Sequence, residues 1–251
     1  MIIRFQAASL CVDITFIAVI SRLQEPCMLH IIQNDPAVPP GIIEQILTVP
    51  FCVHHPYRGE RLPDPRDISA LIVLGGTMGA NDEKGHPFLH DVKVCIGEVV
   101  ARDIPYLGIC LGAQLLAAVQ GGRVVSGRWG EMGSHDIVLT AEGKGDPLFR
   151  GLQAGFTTFQ WHNDSFDIPE NGVLLARSAA CPHQAFRAGG CAWGLQFHPE
   201  ITERIVRDWC DLENAGSVNY LELLRSFNSR AREYHFVAEM LFGNFVKLAG
   251  M

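Results

Sequence analysis

The sequence predicts an α/β protein built on a doubly wound, mostly parallel sheet. Three observations carry that prediction. From Met28 onward, short apolar runs alternate with helical patterns; the runs are continuous rather than every-other-residue; and several stop abruptly at glycine. Continuous apolar runs suit strands covered on both faces, and strand–helix alternation is the mark of parallel crossover units.

The elements follow in order. Residues 29–33 read as a first strand, closed by Asn34-Asp35-Pro36. Pro40-Gly41 opens a short helix through Ile42, Ile43, Ile46 and Leu47, whose spacing makes one apolar stripe. A second strand is expected over 51–54, then a Pro/Arg-rich loop over 56–67. The run 70–74 ends at Gly75-Gly76, and 87–102 reads as a helix with Leu89, Val92, Ile96 and Val99 on one side. Another buried strand over 105–110 hands over to a helix over 111–120, stopped by Gly121-Gly122. Beyond it, 124–140, 156–166, 173–179 and 191–197 are β-like with short connections, which predicts antiparallel additions. From Ile201 the pattern turns helical, and Leu221, Leu224, Phe227, Ala231, Tyr234, Val237, Leu241 and Phe245 recur at three- and four-residue steps. Three units are expected: an N-terminal extension over 1–27, a main domain over 28–215 and a helical tail over 216–251 packed on that domain.

Composition narrows the function. The 251 residues are 48% hydrophobic and 19% charged, enough apolar material for a sizeable core, which excludes a disordered chain. A net charge of −7 without any basic run argues against nucleic acid or an anionic membrane as partner. The apolar leader resembles a signal peptide only superficially. Asp13 interrupts it, and the uninterrupted run over 15–20 falls far short of the ~20 residues of a membrane span. A soluble cytoplasmic protein whose functional chain begins at Met28 is the expectation. None of the eight cysteines (Cys11, Cys27, Cys52, Cys95, Cys110, Cys181, Cys191, Cys210) has CxxC spacing, so a zinc ribbon or thioredoxin-like motif is excluded. Most are expected to be buried small side chains rather than disulfides. His54-His55 and Cys181-x-His183 are too sparse for a metal site, and no cofactor is expected.

Three motifs carry chemistry. Gly108-Ile109-Cys110-Leu111-Gly112 has the G-x-nucleophile-x-G spacing of an elbow where a strand hands over to a helix. A thiol there stands at a helix N-terminus, which favours the thiolate, and at the sheet edge where open α/β sheets keep their sites. The same five residues also fit a buried cysteine in a glycine-rich turn. Gly194 to Glu200 ends the last clear strand with His198 and Glu200 two residues apart; on an extended chain both face one way, so Glu200 can orient His198. Gly75-Gly76-Thr77-Met78-Gly79 offers main-chain N–H groups to an anion. It is no Walker loop, and the glycines over 127–133 have the wrong spacing for a dinucleotide fingerprint.

Together GGTMG, GICLGAQ and GLQFHPE, in this order at strand ends, resemble the class I (triad-type) glutamine amidotransferase family, and within it the stand-alone members similar to the glutaminase part of GMP synthase. Phe159 to Phe166, with its FQWH-x-D pattern, and Ala180 to Phe186 strengthen the resemblance, which covers roughly 28–213. It implies a flavodoxin-like domain with Cys110 as nucleophile, His198 as general base and acid and Glu200 as its orienter. It further implies an oxyanion hole from the N–H groups of Gly76 and Leu111, a glutamine-holding role for Gln114, and His162 and Asp164 lining the substrate pocket. The implied substrate is glutamine or a γ-glutamyl small molecule, with ammonia passing to a synthetase partner, since no ATP-pyrophosphatase loop is present. Thr77 departs from the family pattern, which more often has proline there. Alternatives are a stand-alone γ-glutamyl amide hydrolase, a non-catalytic regulatory module and a cysteine peptidase of related fold; the HPE pair speaks against the last.

Overall fold

Strand edges and glycine stops translate directly into the sheet. The computed structural model describes residues 28–212 and 220–251; the expected extension over 1–27 lies outside the described residues. In chain order the elements are β1 (Leu29–Ile32), α1 (Ile43–Ile46), β2 (Phe51–His54), β3 (Ala70–Val73), α2 (Phe88–Ala101), β4 (Tyr106–Ile109) and α3 (Leu111–Val119). Then come β5 (Val124–Val125), β6 (Glu131–Leu139), α4 (Ala141–Gly145), β7 (Gly155–His162), β8 (Ser165–Phe166), β9 (Gly172–Arg177), β10 (Ala185–Ala188) and β11 (Ala192–Leu195). Two helices follow, α5 (Glu203–Leu212) and α6 (Tyr220–Leu248). Nine strands form one sheet of order β2-β1-β3-β4-β11-β10-β9-β6-β7, and β5 pairs with β8 apart from it.

The strands β2, β1, β3, β4 and β11 run parallel, and β10, β9, β6 and β7 extend the sheet antiparallel. This corrects one expectation: the segment 191–197 is not simply an antiparallel addition. β11 pairs parallel with β4, Leu195 beside Ile109, and antiparallel with β10. It is the hinge between the two halves, and β10, too short to stand out as an apolar run, supplies its other neighbour. The Pro/Arg-rich loop also contains two 3₁₀ turns at Pro56–Arg58 and Pro65–Asp67.

Helices cover both faces, as doubly wound topology requires. The predicted stripe Leu89, Val92, Ile96 and Val99 of α2 is buried together with Leu115 and Leu116 of α3 against Leu71, Val73 and Tyr106. On the opposite face Val237, Leu241, Phe242 and Phe245 of α6 pack over Ile72, Leu107 and Trp193. Burying each such side chain is worth about 1.5–3 kcal/mol, so the tail is part of the domain's core. Leu221 departs from the predicted stripe and is 59% exposed. A third cluster joins Val38, Phe159, Ile205, Trp209 and Phe227 beside the sheet's C-terminal edge. Among the remaining described cysteines, burial pushes the thiols of Cys95, Cys181 and Cys191 up, as expected of inert side chains; Cys52 is instead disulfide-bonded.

Candidate active site

The site begins with two glycines that no other residue can replace. A Cβ on Gly108 would meet the Gly112 carbonyl group at 2.5 Å, and one on Gly112 would lie 2.1 Å from the Val73 carbonyl oxygen. Between them the chain turns from β4 into α3 through Cys110, which caps the helix at φ 50°, ψ −105°. A positive φ is costly for a residue with a Cβ and persists only where surroundings impose it. Here the Cys110 N–H donates to the Leu195 carbonyl at 2.7 Å, and β4 and β3 hold the glycines. The strained turn lifts the thiol above the sheet edge at the start of α3, whose first N–H groups have no helical acceptor.

The chain leaves β11 at Leu195, so His198 and Glu200 lie in the following turn, not on a strand. Their side chains meet all the same. His198 Nδ1 and Glu200 Oε1 are 2.7 Å apart, with the two side chains 2% and 0% exposed. Burial alone would pull the His198 imidazolium down; the Glu200 carboxylate, followed by the Cys110 sulfur, outweighs it and pushes the pKa up to about 10. Nε2 is buried without an aligned hydrogen-bond partner, and the Trp209 ring stands edge-on to the imidazole at 4.9 Å. Gly75 faces both side chains: a Cβ there would lie 3.3 Å from His198 Cε1 and 3.5 Å from Cys110 Cβ.

These groups open into a cavity of about 390 Å³ whose lining includes Gly76, Cys110, Gln114, His162, Asp164 and His198. Leu111 and Glu200 stand just behind it. Gly76 lies against Leu111, since a Cβ on it would sit 2.8 Å from Leu111 Cδ2. The Asp164 carboxylate is anchored by one oxygen, which accepts from Ser126 Oγ at 2.8 Å and from the Gly127 N–H at 3.1 Å. Its other oxygen faces Gly79, 3.7 Å from where a Cβ would stand. Gln114 Nε2 reaches the Asp164 carbonyl and Gln196 Oε1, both at 3.4 Å. Gln196 in turn donates from Nε2 to Cys110 Sγ at 3.6 Å.

Sequence reasoning missed Gln196, although it stands two residues before His198 within the quoted motif, and it missed the pocket walls Val38, Ser126 and Trp209. Trp161 is partly buried and also lines the cavity.

His162 turns mainly away from the cavity, Nδ1 against the Asp164 carbonyl at 3.0 Å and Nε2 against Glu131 Oε2 at 3.4 Å. Glu131, His162 and Cys181 offer donor atoms within 4.8 Å of one another, the spacing of a metal site. Each atom is already engaged: Glu131 accepts from Ser178 and Gln184, and Cys181 donates to the His183 carbonyl. Burial would raise Glu131, yet hydrogen bonds from His162 and Ser178 bring it below the usual carboxylate range. The cluster has the character of a satisfied polar network supporting the pocket wall.

Comparison with known proteins bears on this site. The family model for the class I glutamine amidotransferase domain matches residues 52–206, more than half the chain. The chain belongs to the class I glutamine amidotransferase family. A glutamine amidotransferase of Thermotoga maritima superposes with a TM-score of 0.80 at 30% identity, over 91% of this chain and all of that one. The amidotransferase-like protein YfeJ of Salmonella typhimurium is 31% identical over 154 residues, 60% of this chain and 64% of YfeJ. The GMP synthase of Thermosipho africanus is 36% identical over 141 residues, 55% of this chain but 26% of the synthase. This chain thus spans under two thirds of YfeJ and about a quarter of that synthase.

Proposed function

We propose that this chain hydrolyses the side-chain amide of glutamine through a thioester on Cys110, releasing glutamate and ammonia. The observation that carries the reading is the buried His198, gripped by Glu200 at 2.7 Å and raised by that carboxylate and then by the Cys110 sulfur. With the Cys110 proton passed to His198, the sulfur serves as nucleophile and the imidazolium as acid.

The cycle balances on these residues alone. Cys110 Sγ attacks the carboxamide carbon, and the oxygen takes the negative charge within reach of the N–H groups of Gly76 and Leu111. His198 gives its proton to the departing nitrogen as the C–N bond breaks, leaving a γ-glutamyl thioester. Neutral His198 then takes a proton from water as its oxygen attacks, and the thiolate leaves with the imidazolium restored. Glu200 stays ionised and fixes the ring. Asp164 receives the substrate ammonium with its free oxygen, Gln114 holds the same end, and His162 positions Asp164 through its carbonyl.

Likeness to part of GMP synthases supports delivery of ammonia to a synthetase partner. These include a separate glutamine-hydrolysing GMP synthase chain of Methanosarcina acetivorans, 38% identical over 120 residues. A second reading has its own observation. The cavity wall beside His198 is apolar, formed by Val38, Trp209 and Leu212. Such a wall suits the substituted leaving amine of a γ-glutamyl amide. Incubation with glutamine and with γ-glutamyl amides, with ammonia, amine and glutamate measured, separates the two. Cys110→Ala is expected to abolish turnover and trapping by an electrophilic glutamine analogue. No turnover of any of these by the wild type, or full activity in Cys110→Ala, would overturn the proposal.

A further inference from the structure

The loop that carries Gly76 contains two adjacent glycines, the residues that lose most backbone freedom on ordering. Something must hold it if the Gly76 N–H is to point at a developing oxyanion. The loop leaving β1 does so from both sides. Asn34 Nδ2 donates to the Leu74 carbonyl at 2.8 Å, just before the glycine pair. Asp35 Oδ2 accepts from the Thr77 N–H at 3.0 Å and from the Thr77 hydroxyl, just after it. Asp35 is itself anchored, Oδ1 accepting from the Ala37 N–H at 2.8 Å. Asn34 and Asp35 are 0% and 6% exposed, whereas Thr77 is exposed. Consecutive side chains thus clamp the peptide units on either side of Gly75-Gly76.

We infer that Asn34 and Asp35 are positioning residues for the oxyanion hole, acting through Leu74 and Thr77 to preorganise the Gly76 N–H; this rests on the hydrolytic reading of the site. It also gives Thr77 a reason to stand where it does. A threonine offers both an N–H and a hydroxyl to Asp35, whereas proline would offer neither. The bonds are charge-assisted and short of solvent on the Asp35 side, the setting in which hydrogen bonds hold a loop most firmly. Misplacing a preorganised donor by a fraction of an ångström costs rate without weakening substrate capture, because the oxyanion exists only in the transition state.

The test uses full-length Asp35→Ala, Thr77→Val, Thr77→Ser and the Asp35→Ala/Thr77→Val double variant. Expected are a fall in kcat of roughly ten- to hundredfold for Asp35→Ala and roughly tenfold for Thr77→Val, with KM changed by less than about threefold. Thr77→Ser recovers the loss of Thr77→Val, and the double variant is no worse than Asp35→Ala. Hydrogen exchange of the peptide covering 74–79 rises in Asp35→Ala and in Thr77→Val. Because Thr77 is exposed, its variants keep the test valid if Asp35→Ala does not fold. An active wild type with unchanged kcat or unchanged exchange in Thr77→Val would overturn this inference alone. A wild type inactive on every γ-glutamyl amide would overturn the hydrolytic reading and the inference with it.

Discussion

Replacing Glu200 by glutamine removes a charge while keeping the shape and an acceptor for His198 Nδ1. In the wild type the imidazolium is held to about 10 against an ordinary 6.5. At about 1.4 kcal/mol per pH unit, that difference is worth about 5 kcal/mol. Burial opposes it, and the Glu200 charge is the largest single contribution that sustains it. Both side chains are essentially without solvent, so screening does not dilute the effect. Losing the carboxylate should therefore cost about half of that energy or more, and move the alkaline limb of kcat/KM down by about two pH units. The sign is definite. A raised histidine supplies its full stability below pH ~6.5 and loses it as pH rises through about 10, whereas activity needing the imidazolium falls only as pH passes about 10. Turnover at neutral pH should drop by on the order of 10²–10⁴. The assay is glutamate release from pH 5 to 11, paired with thermal unfolding of both proteins at pH 6 and pH 10. The stability gap should narrow toward pH 10. Alkaline limbs that coincide in the two proteins would refute the assignment of Glu200 as the group that holds the His198 proton.

Two further predictions concern the elbow and the pocket. Gly112→Ala drives a methyl group into the Val73 carbonyl at 2.1 Å, and because that neighbour is backbone the helix must lift off the sheet. A loss of about 3 kcal/mol or more, roughly 10 °C in Tm, and loss of thiol reactivity at Cys110 are expected by calorimetry and alkylation. Asp164→Asn keeps an oxygen for Ser126 and the Gly127 N–H but surrenders the charge. KM for glutamine should rise roughly ten- to hundredfold with kcat and Tm little changed, and an unaltered KM would remove Asp164 from the binding subsite.

Much of the molecule was legible because its determinants are local. Gly108 and Gly112 bracket Cys110 within five residues, and the strain they permit belongs to that short turn. The runs 70–74 and 105–110 announce central strands by being apolar at every position. The HPE pair lies within three residues, so the meeting of His198 and Glu200 was foreseen, though for a strand that had already ended. What escaped notice joins distant segments. Trp209 reaches the wall by donating to the Ala37 carbonyl, 172 residues away. Gln196 finds Cys110 only because β11 and β4 lie parallel in register. β10, four residues long, was hidden because its strand character comes from its neighbours.

By itself, then, the sequence determined the fold class, the alternation that builds the parallel half-sheet, the strained elbow and the residue types that can act there. Those follow from backbone sterics and from the apolar demand of two-sided burial, which neighbouring residues encode. Only the tertiary structure decided that β11 turns the sheet antiparallel, which face of the core α6 closes, and that Asn34 and Asp35 grip the glycine loop. Each depends on hydrogen bonds and packing between segments tens of residues apart, where no local periodicity records the partner.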